Sequence, residues 1–177
     1  MKLQGTDIYL DTLEREDCKK IWCAFEYDFE NPCEELLLGN SIEKADEWFE
    51  DIQKKQGNTN VRLGIFLNDK TVIGDVALQD IDYKNRCCSI GMGIQRIEHR
   101  SKGYGQQAVR LMLKYGFCFL GLERISARTL APNIGAQKSL KKCGFQLEGR
   151  ERAAVYLNGK KVDRLFYAIL RNEFLMN

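Results

Sequence analysis

Hydrophobic residues recur along this chain with two different periods, and each change of period marks a change between helix and strand. Short alternating or continuous apolar runs predict strands at 6–10, 61–67, 71–78, 87–97, 125–130, 145–157 and 162–170. Helical spacing predicts four helices, at 13–27, 41–56, 104–119 and 133–142. The predicted order is therefore β-α-α-β-β-β-α-β-α-β-β.

The connections between these elements predict how the strands pair. Short polar loops at Asn68-Asp69-Lys70 and Asn158-Gly159 predict antiparallel hairpins. The strand, helix and strand between 87 and 130 form a crossover unit, whose two strands should be parallel. We therefore predict an α/β fold in a single domain over residues 1–177, with a mixed sheet of about seven strands and helices on both faces.

A glycine turn, Arg100-Ser101-Lys102-Gly103-Tyr104-Gly105, lies between a strand and a helix of this crossover. Its two glycines can adopt backbone angles that other residues avoid. Unpaired amides and the positive end of the helix dipole meet at such a turn, which suits a phosphate. The alternative is a surface turn whose basic side chains are only solvated.

The apolar face of the following helix is predicted to contain Tyr104, Ala108, Leu111, Met112, Tyr115 and Phe119.

Composition narrows the class of protein. No apolar run reaches the roughly 18 residues of a membrane span, and the start of the chain lacks the apolar region of a signal peptide. Seven cysteines without a CxxC pair indicate reduced, mostly buried thiols rather than a zinc or redox site. We therefore expect a cytoplasmic protein without a metal and without a membrane or nucleic-acid partner.

The charge of the chain is small overall but uneven. The net charge is +2, yet the segment from Glu26 to Asp51 carries ten acids and one base, Lys44. This segment is either a solvated helical face or an acidic wall that attracts a cationic substrate. In the second interpretation, the substrate-binding candidates are Asp28, Glu30, Glu34 and Glu35.

Three phosphate-binding patterns can be compared with the glycine turn. A P-loop string, G-x-x-x-x-G-K-[ST], is not present. Gly103-x-Gly105-x-x-Ala108, with Glu123 twenty residues on, fits the dinucleotide fingerprint, but the strand does not run directly into the first glycine. The third pattern, [QR]-x-x-G-x-[GA] between a strand and a helix, is matched by Arg100, Gly103 and Gly105.

With this third pattern, the chain resembles the GNAT superfamily of acyl-CoA N-acyltransferases, in the branch of ribosomal-protein N-terminal and polyamine acetyltransferases. The resemblance extends over nearly the whole chain. It includes Ile90-Gly91, Asn133, Cys143-Gly144-Phe145, Glu148-Gly149, Asn158-Gly159-Lys160, Asp163 and Tyr167. It implies a three-layer fold in which the two parallel strands of the crossover splay apart.

The resemblance also implies a binding site for acetyl-CoA. In that family the turn amides hold the pyrophosphate, and the pantetheine arm lies along the edge of the preceding strand. An asparagine at the start of the next helix contacts the arm; here it is Asn133, which could equally be only a helix cap. The implied cofactor-binding residues are Met92, Gly93, Ile94, Gln95, Arg100, Ser101, Lys102, Gly103, Tyr104, Gly105, Gln106 and Asn133.

The catalytic side chains of the family are not found at their usual positions, so the catalytic residues stay unassigned. Leu140 stands where polyamine-type members carry Tyr, and Ala136 where ribosomal-type members carry Ser. Val155 and Ser89 occupy the positions of two family acids. Ser139 is expected to point away from Asn133, and five carboxylates remain without a reason to choose among them. These are Asp75, Asp80, Asp82, Glu98 and Glu148.

The resulting hypothesis is an N-acetyltransferase that moves an acetyl group from acetyl-CoA to a primary amine by direct attack in a ternary complex. The acceptor is a polyamine, another small amine or a peptide N-terminus. A homodimer is compatible with the sequence, which does not define the oligomeric state. A CoA-binding module without activity and a nicotinamide oxidoreductase are the alternatives.

Overall fold

The computed structural model describes residues 1–30, 32–33 and 41–175. Its strands are β1 (Leu3–Gln4), β2 (Ile8–Asp11), β3 (Val61–Leu67), β4 (Val72–Asp82), β5 (Cys87–Ile94), β6 (Arg124–Leu130), β7 (Gln146–Leu157) and β8 (Lys160–Leu170). Its α-helices are α1 (Arg15–Cys23), α2 (Glu43–Lys55), α3 (Tyr104–Lys114), α4 (Ile134–Lys142) and α5 (Arg171–Leu175). A short 3₁₀ turn covers Ile97–His99, and a π-helical turn, Tyr115–Phe119, follows α3.

The strands form one mixed sheet in the order β1-β2-β3-β4-β5-β6-β8-β7. The sheet has eight strands rather than about seven. The strand that was not predicted is β1, which pairs through only two residues, Leu3 with Leu10 and Gln4 with Tyr9. A strand of two residues is too short to show a hydrophobic period. The mixed α/β fold is confirmed, and its parallel pair is β5 with β6.

The parallel pair is joined only at its beginning. β5 and β6 pair at three positions, from Cys87 with Arg124 to Ser89 with Ser126. Beyond these positions β5 continues to Ile94 and β6 to Leu130 without pairing to each other. The strands therefore splay, as expected, and expose the edge of β5 to the space between them.

Helices cover both faces of the sheet. On one face, α3 buries Ala108, Met112 and Leu113 against Val76 and Leu78 of β4. On the opposite face, α1 and α2 form a smaller apolar cluster of Leu13, Cys18, Ile21 and Ile52, against which Trp48 packs. The alternation of side chains along β4 separates these two layers.

The end of the central helix differs from the predicted apolar face. Phe119 is 74% exposed, whereas Phe117 is fully buried. The π-helical turn explains the difference, because its wider turn shifts the phase of every side chain that follows. A pattern based on 3.6 residues per turn therefore selects Phe119 wrongly.

Several boundaries also differ from the sequence expectation. α1 ends at Cys23 rather than near residue 27, and β5 ends at Ile94 rather than at residue 97. β4 continues to Asp82, through residues predicted to form a polar connection. The thiols were expected to be mostly buried, but only Cys18, Cys88 and Cys143 are, while Cys23 and Cys118 are exposed.

Candidate active site

A cleft of about 1000 Å³ runs through the gap between the splayed strands. At one end it is lined by the glycine turn, the end of β5 and the start of α4. At the other end it is lined by residues of α1, α2, β3 and β4. We call these the α3 end and the α1 end of the cleft.

The glycine turn has the backbone expected of an anion-binding loop. Gly103 is the N-cap of α3 with φ of 85°, and Ser101 also has a positive φ, of 62°. Nothing lies within 4 Å of a Cβ added at Gly103, so conformation rather than space favours glycine there. The first hydrogen bond of α3 runs from the Gln107 N–H to the Gly103 carbonyl (3.1 Å), and the preceding N–H groups are the unpaired donors of the helix start.

The side chain of Arg100 has a role that the sequence did not indicate. Its guanidinium donates to the carbonyls of Ile94 (2.9 Å), Gln95 (2.8 Å) and Glu26 (2.7 Å), and lies 3.5 Å from an Asp28 carboxylate oxygen. Arg100, one of the implied cofactor-binding residues, thus joins the end of β5 to the segment after α1. Ser101 and Lys102 are exposed beside it.

The last residues of β5 alternate between the two faces of the sheet. A Cβ on Gly105 would lie 2.6 Å from the Met92 Cε and 3.7 Å from an Ile94 methyl, so both side chains point to α3. Gly105 is therefore required for the close approach of helix and strand. Gly91 and Gly93 point to the opposite face and line the cleft there, with the Gln79 side chain over Gly91, where its Oε1 would be 3.1 Å from an added Cβ.

Asn133 caps α4, as one of the two interpretations predicted. Its Oδ1 accepts a hydrogen bond from the Ala136 N–H at 2.9 Å, and the residue also lines the cleft. Ser139 lines the cleft too, whereas Leu140 is buried in the core. Ser139 was expected to point away from Asn133, and it nevertheless belongs to the cleft lining.

Only part of the predicted acidic wall lies within the residues that the structure describes. Asp28 lines the cleft, but its carboxylate faces Arg100 and also accepts from the Glu30 N–H (2.9 Å). Glu30 is exposed and is not part of the cleft lining. Glu34 and Glu35 lie outside the described residues.

A buried carboxylate that the sequence could not single out lies at the α1 end. Asp75 of β4 is 7% exposed and pairs through Oδ2 with Arg62 of β3. The Arg62 guanidinium lies over the Trp48 ring, 5.7 Å from its centroid. Burial raises the pKa of Asp75, and Arg62 opposes that rise.

Comparison with known proteins identifies the family. Residues 8–146 match the model of the acetyltransferase (GNAT) domain. The chain is 30% identical over 174 residues to the uncharacterized N-acetyltransferase YoaA of Bacillus subtilis (strain 168), covering 96% of each chain. The chain belongs to the GNAT acetyltransferase family. It is therefore an N-acetyltransferase that uses acetyl-CoA, and the nicotinamide alternative is set aside.

Two further relatives show the breadth of this GNAT branch. The chain is 31% identical over 143 residues to the putative ribosomal N-acetyltransferase YdaF of Bacillus subtilis (strain 168), covering 78% of each. The crystal structure of spermidine N-acetyltransferase from Vibrio cholerae in complex with CoA and spermine superposes with a TM-score of 0.79 at 26% identity. That match covers 97% of this chain and 99% of the other.

The other candidate residues of this GNAT protein lie in different surroundings. Glu148 pairs with Arg124, which lowers its pKa, and Asp82 accepts from Asn85, which lowers the pKa of Asp82. Asp80 lines the cleft, whereas Glu98 and His99 line a separate cavity of about 460 Å³. Asp75 and Asp80 are thus the two of the five unassigned carboxylates that line the cleft.

Among residues 1–30, 32–33 and 41–175, no group of three or more His, Cys, Asp or Glu side chains is arranged to hold a metal ion. Within the same part of the chain, no helix has the length and apolar character to cross a membrane.

Proposed function

We propose that the protein acetylates a primary amine of a small cationic molecule, with polyamines as the leading class, by direct attack in a ternary complex. One observation carries this proposal. The cleft passes through the splayed strands, so it has one end at the glycine turn and another among carboxylates and aromatic rings. Cofactor and acceptor can then approach the same strand edge from opposite faces of the sheet.

The residues at the α3 end fit coenzyme A. The helix start offers unpaired N–H groups to the pyrophosphate, and the unpaired edge of β5 offers backbone groups to the amide-containing arm. We assign binding to Met92–Gln95, Arg100–Gln106 and Asn133, with Arg100 acting by holding the turn in place. Acetyl-CoA supplies the acetyl group as a thioester.

The acceptor binds as its ammonium, releases a proton to water, and attacks as the free amine. The new C–N bond forms as the C–S bond breaks, and coenzyme A leaves as a thiolate that water protonates. The chain itself has two tasks during this reaction. A backbone N–H of Met92–Ile94, already oriented by the strand, donates to the carbonyl oxygen as negative charge develops there. The Ser139 hydroxyl, which lines the cleft from α4, donates to the departing sulfur. We expect Ser139→Ala to lower kcat at least about tenfold, the loss of one hydrogen bond to the charge that develops on sulfur, with an unchanged KM for the amine.

The α1 end favours a cationic acceptor. Trp22 and Trp48 stand with ring centroids 6.2 Å apart and both line the cleft. Aromatic faces attract organic cations. Among the described residues that line the cleft, carboxylates also outnumber guanidiniums: Glu26, Asp28, Asp75 and Asp80 against Arg62, Arg100 and Arg128.

A peptide N-terminus is the second acceptor class, and the 31% identity to a putative ribosomal N-acetyltransferase favours it. The two classes are separated by size, because a peptide must extend out of the cleft whereas a polyamine fits within it.

The test is release of free thiol from acetyl-CoA with a panel of amines. Spermidine, spermine, a monoamine of similar length, an aminoglycoside and a peptide with a free N-terminus cover the classes. The proposal predicts the highest kcat/KM for the polyamines. Release with the peptide alone would move the assignment to the second class, and CoA binding without release on any amine would indicate a binding module.

We also propose that the protein forms a homodimer through the β7–β8 edge of the sheet. β7 is an edge strand, and Leu147 and Tyr156 on it are 52% and 67% exposed. Light scattering during gel filtration measures the mass directly, and a mass of one chain at micromolar concentration would contradict this part of the proposal.

A further inference from the structure

Two glycines form the floor of the α1 end of the cleft. Gly91 and Gly93 of β5 pair with Ala77 and Asp75 of β4. Of these four residues, only Asp75 has a side chain larger than a methyl group. A Cβ on Gly93 would stand 4.0 Å from the Asp75 Oδ1 and 3.5 Å from the Gln95 Nε2. The surface of Gly93 therefore lies beside one oxygen of Asp75, in a part of the cleft that both residues line.

The geometry points to Asp75 as the residue that binds the reacting ammonium of the acceptor. This inference rests on the proposed function and adds the group that recognises its substrate. Asp75 of β4 lies directly opposite Gly93 of β5. Gly93 is in the middle of Met92–Gln95, the edge assigned above to the acetyl-bearing arm. An amine held by Asp75 would thus be next to the strand segment where the acetyl group is expected.

The ion pair with Arg62 does not prevent Asp75 from binding an ammonium. Arg62 binds Oδ2, whereas Oδ1 is the oxygen nearest Gly93. An ionised carboxylate accepts hydrogen bonds at both oxygens, so Oδ1 can accept from an ammonium while Oδ2 stays paired. Arg62 keeps the buried carboxylate paired when no acceptor is bound, since an unpaired buried charge would be costly.

The surroundings of Asp75 set the charge that an acceptor meets. Other titratable or charged groups face it from the elements packed around it. Arg62 of β3 pairs with Asp75 directly, and the Cys18 thiol of α1 is near enough to be affected by the Asp75 charge, whereas Asp80, Glu26 and Asp28 line the same cleft. The pKa of Cys18 is raised to about 12 by burial, so this thiol is neutral and leaves Asp75 as the acid at the glycine floor.

The experiment compares Asp75→Asn with the wild-type protein, using calorimetry of a basic primary amine binding to the CoA complex and steady-state kinetics. Loss of a charge-assisted hydrogen bond predicts about ten- to hundredfold weaker amine binding and a comparable fall in kcat/KM. CoA affinity should stay within about twofold, because its assigned residues are untouched. Amine binding to the wild-type protein should weaken as the pH falls and Asp75 gains a proton, because burial raises the pKa of Asp75, and binding to Asp75→Asn should lack this change.

A second pair of acceptors tests charge directly. A trifluoroethyl-type amine, which is mostly neutral at pH 7, should be affected much less by Asp75→Asn than the basic amine of the same length. Equal losses for the two amines, or an equal loss of CoA affinity, would mean that Asp75 only maintains the structure and would overturn the inference.

Two variants keep the test informative if Asp75→Asn does not fold. Replacement of the whole pair by apolar residues, Asp75→Leu with Arg62→Met, removes both buried charges and is expected to be tolerated. This double variant should bind CoA and remain defective for the basic amine; wild-type amine affinity would overturn the inference. Gly93→Ala places a methyl group beside the Asp75 Oδ1 and should weaken binding of the basic amine to the CoA complex, with Gly149→Ala of β7, which has open space around it, as the control.

The binding readout separates this inference from the proposed function. Amine binding that depends on Asp75, without thiol release, would overturn the proposed function alone. Absence of amine binding to the wild-type CoA complex would overturn the inference.

Discussion

The two ends of the cleft differ in the groups that they present to a ligand. The α3 end presents main-chain groups, namely the N–H groups at the start of α3 and the unpaired edge of β5. The α1 end presents side chains, chiefly Asp75, Arg62 and Trp48, from three different elements. A diphosphate and an amide-containing arm are the same in every reaction of the family, whereas acceptors differ. Main-chain donors suit the constant ligand, and replaceable side chains suit the variable one.

Arg100 connects the two ends, and it provides the strongest way to disturb both. Arg100→Ala removes one cation from three backbone carbonyls, on Ile94, Gln95 and Glu26. We expect the free energy of unfolding to fall by about 3 kcal/mol, because hydrogen bonds to charged groups are worth more than neutral ones. Denaturant titration measures this loss. Both CoA and amine affinities should fall together, which calorimetry detects.

The neighbouring Lys102→Ala is the control for this prediction. Lys102 is exposed, so its removal should change the free energy of unfolding by no more than about 0.5 kcal/mol. Similar losses for Lys102 and Arg100 would contradict the bridging role of Arg100.

Gly103 affects the α3 end alone. Gly103→Ala places a side-chain-bearing residue at φ of 85° and should turn the N–H groups of the helix start away from a common point. The loss of one charge-assisted hydrogen bond to the pyrophosphate predicts about ten- to hundredfold weaker CoA binding in calorimetry. Amine binding at the α1 end should change little.

Gly159→Ala is a matched control, since Gly159 has φ of 80° and equally open space at the β7–β8 turn. It should lose a similar amount of stability, about 1 kcal/mol, and bind CoA normally. If both glycine variants lost CoA affinity, strain rather than local amide geometry would be responsible.

Asn133 should give the smallest effect. Asn133→Ala removes the cap of α4 and should cost about 1 kcal/mol, which lowers Tm by about 2–4 °C in a chain of this size. Asn133→Ser retains a capping oxygen and should restore most of that stability. CoA affinity that stays low in the Ser variant would show that the asparagine amide also contacts the cofactor arm; full recovery would leave the cap as its only role.

The sequence was informative wherever a feature depends on neighbours along the chain. The glycine turn, the Asn133 cap and the hairpin at Asn158-Gly159 each depend on a few consecutive residues, so local patterns predict them. The splay followed from a family resemblance carried by the same motifs. The π-helical turn after α3 was missed because its sequence, Tyr115–Phe119, also fits a regular helix.

The acceptor end depends on tertiary contacts and was not predictable in this way. Asp75 was one of five unassigned carboxylates, and only the pairing of β3, β4 and β5 brings it next to Arg62 and Gly93. Trp48 reaches the same place from α2, which precedes these strands in the chain. No spacing pattern along the sequence predicts that these side chains lie together.

A crystal structure of the protein with CoA tests the central claim most directly. The account predicts the pyrophosphate within hydrogen-bonding distance of N–H groups in Ser101–Gln106, the arm along the edge of β5, and the thiol directed towards Gly93 and Asp75. A diphosphate bound anywhere else, or a thiol on the side of the sheet away from Asp75, would contradict it.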